Sequence, residues 1–102
     1  MVEAQVSEAL ELAWKGQGLA VRRWSKGQLI DYLENLFAGV LDGLSIDDLP
    51  KETRQKIFDV VKGFYDLICS TTDIPVLPDK PIEFAIWNAI APMLRKLLKL
   101  ED

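Results

Sequence analysis

The sequence predicts an all-α fold: a four-helix bundle-like single domain, residues 1–102, with a proline-rich connection before a buried, proline-kinked C-terminal helix. Three observations predict it. Apolar residues recur at three- and four-residue spacing in four separate stretches. Helix start and stop residues bracket those stretches: Ser25 with Gln28, Asp47-Asp48 before Pro50, and Asp79 before Pro81 at the starts, and Gly16 and Gly43 at the stops. And 102 residues at 49% hydrophobic content suffice for one real core, well outside the disordered range.

The first helix is expected from Glu3 to Lys15, with Val2, Val6, Ala9, Leu10 and Ala13 on its apolar side. Gly16 and Gly18 end it. Residues 19–24 admit either an extended run or a short helical turn. Ser25 then offers an N-cap with Gln28 three residues on, which is the pattern of a capping box, and Trp24 stands where a hydrophobic staple onto Leu29 or Ile30 belongs.

The second helix is expected from Lys26 to Asp42, with a broad apolar face of Leu29, Ile30, Leu33, Leu36, Phe37, Val40 and Leu41, continued by Leu44. Its terminal charges oppose the helix dipole, Lys26 at the positive end and Asp42 at the negative end. Gly43 is the stop. Asp47 or Asp48 can cap the third helix, with Pro50 in its first turn and its end near Ser70. Ile57, Val60, Val61, Phe64, Leu67 and Ile68 mark the core side, Gln55, Asp59, Lys62 and Asp66 the wet side. The polar run Lys51 to Lys56 is expected to stand clear of the core. Pro75 and Pro78 then stiffen a strap that lays Ile74 and Leu77 across the bundle.

The fourth helix, Pro81 to Leu100, organises the rest. At about 100° per residue, Ile82, Ile86, Ala89, Ile90, Met93, Leu97 and Leu100 fall on one flank and Phe84, Trp87, Ala91, Leu94 and Leu98 nearly opposite. Only Asn88, Arg95 and Lys99 form a polar wedge. Pro92 lacks an N–H for the Asn88 carbonyl and is expected to kink or split the helix. A second flank without an owner among the other helices predicts a homo-oligomer, most simply a homodimer, with Phe84, Trp87, Leu94 and Leu98 at the interface. The run free of charge is far shorter than the roughly 20 residues of a membrane span.

Chemistry is sparse. The chain has no histidine, which removes the commonest general base, the commonest zinc ligand and the Ser–His and Cys–His nucleophile pairs. Its one cysteine, Cys69, sits at the negative end of a helix, where a thiolate is disfavoured, and reads as structural. Carboxylate pairs, Asp59 with Asp66 and Glu8 with Glu11, lack the Glu-x-x-His of di-metal bundles and the calcium-loop pattern, so no metal or cofactor is expected. Gly16-Gln-Gly18 is no phosphate loop. Gly39 and Gly43 share a G-x-x-x-G spacing that carries little weight in water. No zinc-finger, helix-turn-helix or EF-hand pattern is present.

The sharpest surface feature is Trp14, Lys15, Arg22, Arg23, Trp24 and Lys26, where cations interleave with indoles that can hold phosphates, stack bases or grip an acidic partner. Packing explains much of it: Trp14 projects about 40° from Leu10 on the first helix. Net charge −4 and a pI near 4.8 argue against a general nucleic-acid binder.

The expectation is therefore a non-catalytic protein that works by protein–protein interaction or self-association. The alternative is a nucleic-acid-associated accessory protein using the patch at 14–26, and a carboxylate-based metal enzyme is a distant third. A lone cysteine and an acidic N-terminal stretch without a signal-peptide pattern point to the cytoplasm.

Overall fold

The protein is all-α. Its computed structural model describes residues 2–16, 25–71 and 80–100. Four helices, α1 (Val2–Lys15), α2 (Lys26–Asp42), α3 (Lys51–Thr71) and α4 (Lys80–Leu97), enclose one hydrophobic core, and a short 3₁₀ turn, Ile46–Asp48, lies between α2 and α3. The bundle has a ring order that differs from the chain order. α1 packs on α3 and α2, and α4 packs on α2 and α3, so α2 and α3 face each other across the diagonal. Phe37 and Phe64 meet edge-on there, ring centroids 6.3 Å apart.

α2 starts where its sequence says it should. The Ser25 hydroxyl accepts from the Gln28 N–H at 3.2 Å, and the Gln28 side chain accepts from the Ser25 N–H at 2.8 Å. That reciprocal pair satisfies two of the four N–H groups a helix start leaves open. Leu29, Leu33, Phe37 and Leu41, one every fourth residue, are buried along its inner side. Gly43 does end α2, but at φ −75°, which any residue adopts, and Gly39 has open space where a Cβ would stand. Neither glycine brings two helices together.

α3 departs from its expected face. Tyr65 is buried and Leu67 is 48% exposed, the reverse of the apolar pattern. The cause is the position of α4, which lies on the Phe58–Tyr65 side of α3. Trp87 packs against both rings, 5.8 Å from Phe58 and 5.2 Å from Tyr65 by centroid. α3 and α4 run antiparallel, since the Tyr65 hydroxyl donates to the Glu83 carbonyl at one end and Arg54 reaches Leu98 at the other.

Arg54 corrects a second expectation. The polar start of α3 does not stand clear: the Arg54 Nε donates to the Leu49 carbonyl at 3.2 Å, and its Nη1 donates to the carbonyls of Leu98 and Lys99 at 3.2 and 2.7 Å. These are carbonyls that the end of α4 leaves without N–H partners, at the negative end of its dipole. Asp47 is drawn the same way, its carboxylate pairing with Lys99 instead of capping α3. Pro50 sits one residue before α3, its carbonyl accepting the first helical bond from the Arg54 N–H at 3.1 Å.

α4 runs unbroken through Pro92, so the expected split does not occur. Asn88 and Pro92 are both exposed, so the helical bond that Pro92 cannot make is lost on the solvent side of α4, where water can serve the carbonyl at little cost. The helix closes in a Schellman turn: the Lys99 N–H bonds to Lys96 O and the Leu100 N–H to Arg95 O, with Lys99 at φ 55°. No helix among the described residues is long and apolar enough to cross a membrane.

Candidate functional site

The flank of α4 that the sequence left without an owner has one. Ile86, Trp87, Ile90, Ala91, Leu94 and Leu98 are all buried within the chain, and on a helical projection they span one continuous arc of about 140°. α2 and α3 cover that arc from either side. Of the four expected interface residues, Trp87, Leu94 and Leu98 are 7%, 0% and 0% exposed and belong to this core, whereas Phe84 is 61% exposed. Ala89 and Leu97, expected in the core, are exposed as well. The premise of a second unowned stripe is thereby corrected: it is the far side of a single wide face, and Phe84 is its uncovered edge.

Phe84 opens onto a cleft between α3 and α4, lined by Lys62, Gly63, Tyr65, Asp66, Leu67, Cys69, Glu83, Phe84 and Trp87. Helical spacing builds each wall. Lys62, Tyr65, Asp66 and Cys69 are three or four residues apart along α3, and Glu83, Phe84 and Trp87 share the first turns of α4. The Lys62 ammonium lies 5.2 Å from the Trp87 ring centroid and 5.7 Å from that of Tyr65, and bonds to the Asp66 carboxylate at 2.6 Å. A cation is thus held by two aromatic faces and one carboxylate.

Two weak acids sit in the wall, and both are harder to ionise than usual. Burial, then the adjacent Cys69 thiol, pushes the Tyr65 hydroxyl well above the ordinary phenol range. Burial pushes the Cys69 thiol up to about 11. Glu83 and Asp66 add to that, and the Tyr65 hydrogen bond and the Lys62 charge oppose it without prevailing. A nucleophilic cysteine needs the opposite environment. The direction agrees with the sequence argument, but burial and not the helix dipole is the main cause.

The basic and indole patch is only partly described. Arg22, Arg23 and Trp24 lie outside the described residues, as do Asp79 and the strap with Ile74 and Leu77. Trp14 is half-buried, packed on Tyr32 at 6.1 Å and edge-on to Phe64 at 6.3 Å, while Lys15 and Lys26 are exposed. The indole that could have stacked a base serves to join α1, α2 and α3. The Tyr32 hydroxyl, donating to the Ala13 carbonyl at 3.4 Å, fastens the same junction.

The carboxylates weighed as metal ligands are engaged locally or stand apart. Asp59 accepts from Gln55 and Asp66 from Lys62, each one turn earlier, and Glu8 and Glu11 are exposed on α1. Among the described residues no group of three or more potential ligands converges.

Sequence reasoning placed Lys62 and Asp66 on a wet face and left Tyr65 unassigned, so the cleft escaped it. The i, i+3, i+4 spacing of Lys62, Tyr65 and Asp66 was a signal for one wall. The opposite wall follows only from the packing of α4. Compared with known proteins, the chain matches no family model, no curated protein and no solved structure.

Proposed function

We propose that the protein is a non-catalytic interaction module that works through the exposed edge of the α3–α4 cleft. The observation that carries this is the contrast along α4: Phe84 stands open, beside an exposed Leu67 on α3, while Trp87, only three residues on, is enclosed. A large aromatic and an aliphatic side chain, side by side and rimmed by Lys62, Asp66 and Glu83, have the make-up of an interface anchor with a polar rim.

The simplest partner is a second copy, packing Phe84 and Leu67 across a two-fold axis. Sedimentation velocity at micromolar concentration tests this on the wild type and on the double variant Phe84→Ser/Leu67→Ser. A dimer that becomes a monomer in the variant supports self-association through this edge. A wild-type monomer removes self-association and leaves a different protein as the partner. In that case affinity capture from the native host recovers the partner with the wild type and loses it with the variant. Equal recovery with both overturns this edge as the working surface.

A further inference from the structure

We propose that the Tyr65–Trp87 cavity between α3 and α4 is a binding site for an alkylated ammonium ion, occupied in the isolated chain by the protein's own Lys62. The inference goes beyond the interaction surface described above and requires no protein partner, so it stands or falls separately.

Beside the wider part of the cleft, and sharing Lys62, Asp66, Glu83 and Phe84 with it, is a cavity of about 70 Å³ lined by Lys62, Tyr65, Asp66, Glu83, Phe84 and Trp87. Its composition is three aromatic rings and two carboxylates around one cation. The Tyr65 and Trp87 rings, 5.2 Å apart by centroid and inclined at 36°, form a shallow V. The Lys62 ammonium sits over both faces. Phe84 forms the outer lip and is mostly exposed. Negative charge exceeds positive by one among Lys62, Asp66 and Glu83, so the cavity still favours a cation after Lys62 is answered by Asp66.

Lys62 shows that the rings accept a positive charge, but its ammonium suits the place imperfectly. A primary ammonium carries three N–H donors, and ring faces satisfy donors poorly, so part of its hydration is lost without replacement. A methylated ammonium has fewer donors or none, spreads its charge over methyl groups and loses little hydration against aromatic faces. The Lys62 side chain is 35% exposed, so it has a route outward to water. An alkylated ammonium would take the rings while Lys62 and Asp66 keep each other company at the rim. Two sources share this chemistry: a free quaternary ammonium compound, or a methylated lysine side chain on a peptide.

The test uses the full chain labelled with ¹⁵N and follows the indole N–H signal of Trp87, assigned with Trp87→Phe. Wild type, Lys62→Ala and Phe84→Ala are titrated with tetramethylammonium chloride and, as a control for ionic strength, with sodium chloride. A second pair of titrations uses a short peptide bearing trimethyllysine and its unmethylated twin. A saturable shift with tetramethylammonium and none with sodium is expected in the wild type. Removing the internal competitor in Lys62→Ala should tighten binding by roughly two- to fivefold, the worth of an exposed cation–π contact, and Phe84→Ala should weaken it. Tighter binding of the methylated peptide than of tetramethylammonium assigns the site to a protein side chain, and the reverse assigns it to a small molecule. Neither Lys62, 35% exposed, nor Phe84 belongs to the buried core, so their alanine variants keep the fold, which far-UV circular dichroism checks. Linear, sodium-like shifts in wild type and Lys62→Ala alike overturn the site. Equal affinity in those two proteins overturns Lys62 as its occupant.

Discussion

At its carboxy-terminal end α4 is clasped by residues distant in sequence: Arg54 donates to two of its last carbonyls, Asp47 pairs with Lys99, and a Schellman turn closes the backbone. At its amino-terminal end the Tyr65 hydroxyl donates to the Glu83 carbonyl and ties it to α3, and Phe84 and Leu67 beside it are 61% and 48% exposed. The same helix is therefore closed at one end by charge and hydrogen bonding and left at the other with uncovered apolar surface. The difference has a physical basis. A helix end has carbonyls that must find donors wherever water is excluded, so a cation there stabilises the fold directly. An exposed side chain near a helix start carries no such obligation and is free to serve contact with something else.

The two ends can be set against each other by measurement. The largest effect concerns Cys69, which lies at the open end but is sheltered within it. With its thiol raised from the ordinary 9.0 to about 11, the thiolate fraction near pH 8 falls roughly a hundredfold, and alkylation by iodoacetamide should slow accordingly relative to the chain in denaturant. Equal rates in the two states would place Cys69 in open water. The sign for stability follows: the folded form holds this proton more tightly, so its contribution is complete below pH 9 and is lost as pH rises through 11.

Next comes the clasp. Arg54→Ala strips the donors from the Leu98 and Lys99 carbonyls and should cost about 2 kcal/mol in urea unfolding, in the range for bonds to charged groups. A loss below half of that would mean that water replaces the guanidinium. Lys99→Gly should act in the opposite direction. Glycine relieves a left-handed residue at φ 55° and gives up only an exposed ion pair, for a net gain of about 0.5–1 kcal/mol. Smallest of all, Phe84→Ser should leave the unfolding midpoint nearly where it was, within about 0.5 kcal/mol, because its ring is mostly in water. A large loss there would show that Phe84 belongs to the core after all.

How far these features could be read from the chain depends on how many residues each involves. The capping box at Ser25 and Gln28 is complete within four residues, and α2 begins and ends where its apolar period and Gly43 place it. Helical projection put Ile86, Trp87, Ile90, Ala91, Leu94 and Leu98 among the covered residues of α4, as they are, but it also placed the exposed Phe84, Ala89 and Leu97 there and treated the rim of one wide arc as a separate face. Only the locations of α2 and α3 show that the covered arc stops at Ala91 and leaves Phe84, about 20° further round, outside it. The exchange of Tyr65 for Leu67 has the same origin, since a modest rotation of α3 toward α4 decides which residue is covered. Arg54 looked like one more polar residue in a first turn because the carbonyls it serves are 44 and 45 positions away. Pro92 was legible as an interruption but not as a harmless one, because that depends on which side of α4 meets solvent.

The antiparallel course of α3 and α4 has a practical consequence. Leu100 packs against the core at the pole where Arg54 binds the end of α4, and from Phe84 to Leu98 the helix axis covers roughly 20 Å. Anything joined downstream, whether a natural extension, an affinity tag or a surface linker, starts at the pole remote from the cleft. Tethering the chain by that terminus therefore presents Phe84 and the Lys62 cavity outward, ready for a titrant to reach.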